Sequence, residues 1–350
     1  MKSGLIGLPG SGVTSLFCLF SGRSYEELAF SGKSEINLGE TKVPDERVDK
    51  LSEIFKPKKS VYATMEFADV PVELDSSGAY STSTVNHIRN MDAIVLVIRA
   101  FENLAVAHTR GSVDALRDLE SAMEEAVLTD LIQVEGKLER LSKEGRMKSR
   151  EAQIFLTLKE NLENSVPVRD MNLDDATQKE ISGYRFLTEK PWLVIINVDP
   201  GEEITDDVQK YLDDRKLTGL PLSAQFELEL VDLEPEEQVE FLNDMGLESG
   251  GCERFIQTAY DSLDLISFLT YGTDECRAWS ITRGSDSVEA AGKIHTDLAR
   301  GFIRAEIVGY EEFLACGGTM QNVKKAGKLR MEGKKYIVQD GDMMTVLFNV

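Results

Sequence analysis

The chain has 350 residues, long enough for a large buried core and two or three domains. Its 61 acidic residues outnumber 39 lysines and arginines, and the formal charge of −22 argues against a general binder of nucleic acid or of anionic membranes. No run approaches the roughly 20 apolar residues that cross a bilayer. The N-terminal residues lack a signal-peptide layout, and Cys18, Cys252, Cys276 and Cys316 form no C-x-x-C pair. Isolated thiols in a reducing cytoplasm are therefore expected, without disulfides or a zinc centre.

The first predicted elements lie in GLIGLPGSGVTSLFCLF, residues 4–20. A buried strand over 2–8 leads into a glycine-rich turn and an apolar helix, the layout of the phosphate loop G-x-x-x-x-G-K-[ST]. Such a loop binds phosphate because glycines let backbone N–H groups converge and the following helix points its positive end at the anion. Gly7, Leu8, Pro9, Gly10, Ser11, Gly12, Val13, Thr14 and Ser15 are the candidate binding residues. Thr14 is also a candidate Mg²⁺ ligand, with Ser15 a nearby substitute. Position 13 carries valine where the pattern has lysine, and a ligand-free turn would satisfy the glycines equally well. Lys2 sits at the far end of the strand, and Arg23 is a weak candidate to replace the charge.

YATMEFADV (62–70) alternates as a strand does and ends at Asp69, a second candidate metal ligand. In nucleotide-switch domains this aspartate opens a D-x-x-G motif. Here the four residues are DVPV, so Val72 stands in the glycine's place and Glu73 follows. DAIVLVIRAF (92–101) is a β-branched run, again a buried strand. His87, just before it in NHIR, reads as a structural, hydrogen-bonded residue ahead of a catalytic one. His108 reads as a surface residue.

Between 110 and 166 the spacing becomes helical. Leu116, Leu119, Met123, Val127, Leu131, Val134, Leu138 and Leu141 recur by threes and fours, and Ala152, Phe155, Leu158 and Leu162 resume after a polar turn. An antiparallel, coiled-coil-like hairpin is predicted. PWLVIINVD (191–199) is another buried strand, ending at Asn197 where a base-reading asparagine belongs. PLSAQ (221–225) supplies Ser223 and Ala224 of a loop that backs the base, with Gln225 in place of a lysine. ELVDLEPEEQVEFLNDMG reads as a helix pair broken by proline. From about 268 short strands and glycine turns predict a small β-rich domain, with QDGD as a hairpin turn. His295, within it, is expected to cap the fold together with Thr296 and Asp297.

Buried strands alternating with helices give an α/β class with a mostly parallel sheet. Four nucleotide-switch motifs in the correct order are far more specific than any one. The charge is uneven: 11 Lys and Arg meet 9 Asp and Glu from Arg277 onward, a balance of +2, against −24 before it. The cluster Lys324, Lys325, Lys328, Arg330, Lys334 and Lys335 is where an RNA-containing partner would be sought.

With these motifs in hand the chain resembles the YchF/Obg-like ATPase family, a branch of the translation-factor-related P-loop GTPases. VPDERVDKLSEIFKPKKSVYATMEFADV (43–70), NHIRNMDAIVLVIRAFEN (86–103), residues 277–313 and residues 326–350 carry the resemblance, which covers nearly the whole length. It implies a P-loop NTPase domain over 1–109 and 167–267, a helical insertion over 110–166, and a β-rich, ubiquitin-like TGS domain over 268–350. It implies ATP or GTP with Mg²⁺ as ligand, association with a ribosome or RNA-containing partner, a monomer, and no membrane. This chain departs where chemistry is done. The family's G-L-P-N-V-G-K-S is GLPGSGVT, its D-I-A-G is DVPV, and its N-x-x-E is Asn197-Val198-Asp199-Pro200. Asp199 lies one residue early for the base-reading carboxylate. Two readings are carried forward: a degenerate nucleotide-binding member with weak or absent hydrolysis and no assigned catalytic residue, or an interaction protein that uses the arm and TGS domain on a P-loop scaffold. A third, an active ATPase with a lysine supplied from elsewhere, is the least favoured.

Overall fold

A computed structural model describes residues 2–29, 36–76 and 78–349. Its strands are β1 (Lys2–Ile6), β2 (Asn37–Val43), β3 (Lys59–Val61), β4 (Ala63–Asp69), β5 (Ala93–Ala100), β6 (Trp192–Val198), β7 (Thr218–Leu222), β8 (Leu265–Thr270), β9 (Glu275–Thr282), β10 (Phe302–Gly309), β11 (Arg330–Glu332) and β12 (Asp342–Phe348). They form two six-stranded sheets, ordered β2-β4-β1-β5-β6-β7 and β11-β10-β12-β8-β9-β3. Two compact units result: Lys2–Gly39 with Phe67–Arg254, and Glu40–Glu66 with Phe255–Val350.

In the first sheet β1 pairs in parallel with β5, β5 with β6, and β6 with β7. β5 and β6 are sequence runs of aliphatic residues because both of their faces are covered, as parallel sheets with helical crossovers require. Ile94, Leu96, Ile98, Val194 and Ile196 form the centre of the core beside them. Registry brings the C-terminal ends of β1, β4, β5 and β6 to one edge, where open α/β sheets bind ligands.

The predicted hairpin consists of helices Ala115–Lys143 and Arg150–Glu163. Its apolar stripe divides. Leu119, Met123 and Ala126 belong to the core of the parallel sheet. Val134 and Leu138 pack instead on Phe155, Leu158 and Leu162 of the second helix, with Phe186 beneath them. The stripe expected to serve one hairpin therefore serves two cores, and the long helix joins them. Asp130 fixes the junction: buried, it accepts from the N–H groups of Leu187 and Thr188 at 2.9 and 2.8 Å and from the Thr188 hydroxyl at 2.7 Å.

The proline-broken pair appears as helices Ala224–Val231 and Pro235–Asp244. In the second unit β10 pairs antiparallel with β11 and β12, β8 antiparallel with β9, and β12 parallel with β8. QDGD is a turn, closed by the Asp342 N–H on the Gln339 carbonyl at 3.1 Å, but it does not join a hairpin. β12 pairs with β10 and β8, while Ile337 before the turn bridges to Asp286. The segment 40–66 is tied to this unit by Arg47, which donates to Asp45 and Asp340, each at 2.8 Å. His295 caps the helix Thr296–Arg300 by accepting from the Asp297 N–H at 3.2 Å, as expected. All four cysteines are free, and burial pushes the Cys18 thiol up to about 11.

Candidate phosphate-binding site

β1 stops at Ile6 because Gly7 begins a turn rather than continuing the strand. The Ser11 N–H bonds to the Leu8 carbonyl at 3.0 Å and closes it. Gly12 is left-handed at φ 97° and caps the helix Val13–Ser21, whose first turn carries neither an acidic residue nor a side-chain cap. Glycine is required there twice over: the backbone is strained for any other residue, and a Cβ would overlap Asn197 Nδ2. The helix is anchored by its buried residues Leu16, Phe17, Leu19 and Phe20, so its uncapped N–H groups are held toward an open cleft of about 330 Å³.

Gly7, Leu8, Pro9, Gly10, Gly12, Val13, Thr14 and Ser15 line that cleft with Asp69, Val70, Pro71 and Val72. The Thr14 hydroxyl donates to Asp69 Oδ2 at 3.3 Å. Burial raises the Asp69 carboxyl above its ordinary value of 3.8, opposed by hydrogen bonds from Thr14 and Asn37. These are two hard oxygen donors at one side of the cleft. No group of three or more metal-binding side chains occurs among the described residues. The Thr14 hydroxyl and the Asp69 carboxylate are the kind of oxygen donors that would suit a Mg²⁺ ion held by few protein ligands. Ser15 is engaged by the Tyr25 hydroxyl.

Val13 supplies no donor, and one of its methyls lies 2.9 Å from where a Cβ on Gly7 would stand. The segment after Asp69 is held back by Thr84, whose hydroxyl accepts from the Glu73 N–H at 2.9 Å and donates to the Pro71 carbonyl at 3.3 Å. Val72 packs against the sheet core. Ser11 is the loop residue whose side chain leaves the cleft: it is 2% exposed, and its Oγ has no hydrogen-bond partner among the described residues.

Asn197, Ser223 and Ala224 meet behind the loop. The Asn197 amide donates to the Ser11 carbonyl at 2.8 Å and accepts from the Ala224 N–H at 3.0 Å. Ser223 caps the helix Ala224–Val231 through the Phe226 N–H. Gln225 turns along that helix to Glu229, and Asp199 accepts from the Glu102 N–H at 3.4 Å.

Two of the predicted roles change. His108, expected at the surface, has a side chain only 4% exposed; its Nε2 lies 2.9 Å from buried Asp118, and its Nδ1 accepts from the Arg110 N–H. The loop before the helix Ala115–Lys143 folds it inward to a carboxylate ten positions away, which no spacing rule detects. His87 lies on the helix Thr82–Arg89 outside the cleft lining, and its buried Nδ1 has no hydrogen-bond partner among the described residues, contrary to the hydrogen-bonded role expected of it. Arg99, a lone arginine within the apolar run of β5, is a further candidate that the motifs do not single out.

Comparison with known proteins gives the chain its relatives. The family model YchF-GTPase_C, described as a protein of unknown function (DUF933), matches residues 265–349. The ribosome-binding ATPase YchF of Bacillus subtilis is 37% identical over 365 residues, covering all of both chains. That of Haemophilus influenzae is 38% identical over 361 residues, covering all of this chain and 99% of the relative. The structure of the Schizosaccharomyces pombe YchF GTPase superposes with a TM-score of 0.85 at 28% identity, over 99% of this chain and 97% of that one. By full-length similarity and by fold, the chain belongs to the YchF family.

Proposed function

We propose that this protein binds a purine nucleotide, ATP or GTP with Mg²⁺, weakly, hydrolyses it slowly or not at all, and acts as a cytoplasmic, monomeric regulator associated with the ribosome. The observation that carries the proposal is the combination at the loop: a left-handed Gly12 nest and an uncapped helix start beside the Thr14–Asp69 pair, with Val13 in the position of the lysine. The nest and helix end attract phosphate without any side chain. A charged hydrogen bond contributes roughly 1.5–3 kcal/mol, so its absence weakens binding about 10- to 100-fold. The cost to hydrolysis is larger, because phosphoryl transfer relies on positioning and charge neutralisation. Gly7, Leu8, Pro9, Gly10, Ser11, Gly12, Val13, Thr14 and Ser15 form the phosphate cradle in this reading, Thr14 and Asp69 hold the metal, and Asn197, Ser223 and Ala224 support the base side.

The names of the bacterial relatives support ribosome association. The proposed organisation is a P-loop domain within 1–109 and 167–267, a coiled-coil arm over 110–166, and a TGS domain over 268–350, with the segments 40–66 and 255–267 packing in the unit of the TGS domain. A second reading, an interaction protein independent of nucleotide, draws on the exposed lysines Lys324, Lys325, Lys334 and Lys335. Lys328 is paired with Glu312, and Arg330 with Asp342, but these four have no carboxylate partner among the described residues. Titration with fluorescent ATP and GTP analogues, with and without Mg²⁺, separates the readings: micromolar-range saturation supports the first, and no saturation leaves the second.

A further inference from the structure

The loop has lost its lysine, yet a guanidinium lies directly behind it. Arg99 comes from the end of β5 and is 3% exposed. Its Nε donates to the Phe101 carbonyl at 3.1 Å, Nη1 to Val106 at 3.0 Å and Nη2 to Asn103 at 3.2 Å, and its plane lies over the Phe101 ring. All three acceptors are neutral carbonyls, and Arg99 makes no ion pair among the described residues. A buried guanidinium is ordinarily matched by a carboxylate, because desolvating an unpaired charge is costly. Here the hydrogen bonds are met by carbonyls alone and no carboxylate is in direct contact, although Asp118 and Glu125 border the same small cavity.

The direction of that charge matters. Nη1 lies 3.5 Å from the position a Cβ would take on Gly10, a residue held at φ 83° at the crest of the phosphate loop. Arg99 and Ser11 border the same cavity of about 40 Å³ behind the loop, room for a water or two. A charge in such surroundings is screened far less than one at the surface. Its field therefore reaches through Gly10 into the cleft where phosphate would sit.

We infer that Arg99 supplies positive charge to the phosphate site, acting from behind Gly10 and making up in part for the lysine missing at position 13. It touches no ligand; it is a positioning residue whose fixed charge sets the affinity for polyphosphate. This inference rests on the phosphate-binding reading above and names the group that sustains it. A charge several ångströms from a phosphate, at an effective dielectric of about 20, changes affinity by about tenfold or more.

The test is calorimetric titration of the full chain with AMP, ADP, ATP and inorganic pyrophosphate in excess Mg²⁺, for wild type, Arg99→Lys, Arg99→Met and Arg99→Gln. Circular dichroism selects the variants that fold; Arg99→Gln, which is neutral and shorter but keeps one amide donor, carries the test if Arg99→Met does not. The neutral variants should lose about tenfold or more in affinity for ADP, ATP and pyrophosphate, and less for AMP. Arg99→Lys, although deprived of the three-carbonyl fork, should stay within about threefold of wild type. Unchanged affinity in a neutral variant overturns the inference. So does an Arg99→Lys variant as weak as Arg99→Met, since the role would then be to shape the 101–106 loop. Wild type that binds pyrophosphate but no nucleotide sinks the nucleotide reading alone, and Arg99 is then judged on pyrophosphate by the same comparison. Wild type that binds neither overturns both.

Discussion

The side-chain amide of Asn197 donates to the carbonyl of Ser11 at 2.8 Å, across 186 positions of sequence. Its oxygen is occupied as well, by the Ala224 N–H. One side chain thus straps the glycine-rich loop to the start of the helix Ala224–Val231, and only one amide hydrogen remains for a ligand. Asn197→Ala should leave a buried carbonyl and a buried N–H unpaired and cost about 2–4 kcal/mol of stability, measured by urea unfolding. Asn197→Asp should be at least as harmful, because a carboxylate cannot donate to Ser11.

Base discrimination should be poor. Asn197 is committed to the scaffold, Asp199 accepts from the Glu102 N–H, and Pro200 stands in the discriminating position without a carboxylate. Sites reject analogues strongly only when a mismatch leaves buried polar groups unpaired. Competition titrations should give ATP and GTP affinities within about tenfold of each other, whereas a hundredfold preference would reveal an unrecognised base reader.

The metal contribution should depend on pH through Asp69. Burial raises its carboxyl above 3.8, and Mg²⁺ requires the ionised form. Mg²⁺-dependent affinity should be complete at neutral pH and fall on acidification, beginning at a higher pH than for an ordinary aspartate. The ligand-free protein should show the opposite sign. Its folded pKa lies above the unfolded value, so stability declines as pH rises through that window. Asp69→Asn should remove both trends.

Ribosome association should be carried by the four unpaired lysines of the second unit. Each phosphate contact contributes close to one unit to the slope of log affinity against log salt. Replacing Lys324, Lys325, Lys334 and Lys335 together by alanine should flatten that slope by about two to four units in co-sedimentation, while Lys328→Ala should change it little. A wild type that fails to co-sediment even at low salt would remove the basis of this prediction.

Asp130 should prove to be the hinge of the helical arm. Its carboxylate satisfies two backbone N–H groups and one hydroxyl in a buried site, so Asp130→Ala should cost about 2–4 kcal/mol in chemical unfolding. Proteolysis of the variant should start between 110 and 190.

The parts of this molecule legible in sequence are those governed by local pattern. β5 and β6 announce themselves because strands covered on both faces are mostly aliphatic. The phosphate loop is legible because left-handed backbone at Gly10 and Gly12 demands glycine. What was not legible depends on residues far apart in sequence. Arg99 reads as an oddity in a strand until the fold brings it behind Gly10. His108 looks like an ordinary loop histidine until Asp118 lies beside it. The single apolar stripe from Leu116 to Leu141 has one period, and only the packing tells where it passes from the sheet to the second arm helix. The segment 40–66 reads as part of the first domain because it precedes Asp69, yet Arg47 ties it to Asp340, nearly 300 positions away.

The most direct measurement is a paired titration of wild type and Val13→Lys with the same labelled nucleotide and excess Mg²⁺, followed by turnover. The loop's backbone is already shaped for phosphate, so the added ammonium should tighten binding about 10- to 100-fold, the range for a charge-assisted hydrogen bond. Turnover should stay low in both proteins, because Val72 remains where the γ-phosphate glycine belongs. Equal affinities would mean that the loop no longer forms a phosphate nest or that another cation already does the lysine's work completely. Turnover in wild type at the level of an ordinary NTPase would contradict the degenerate-site account.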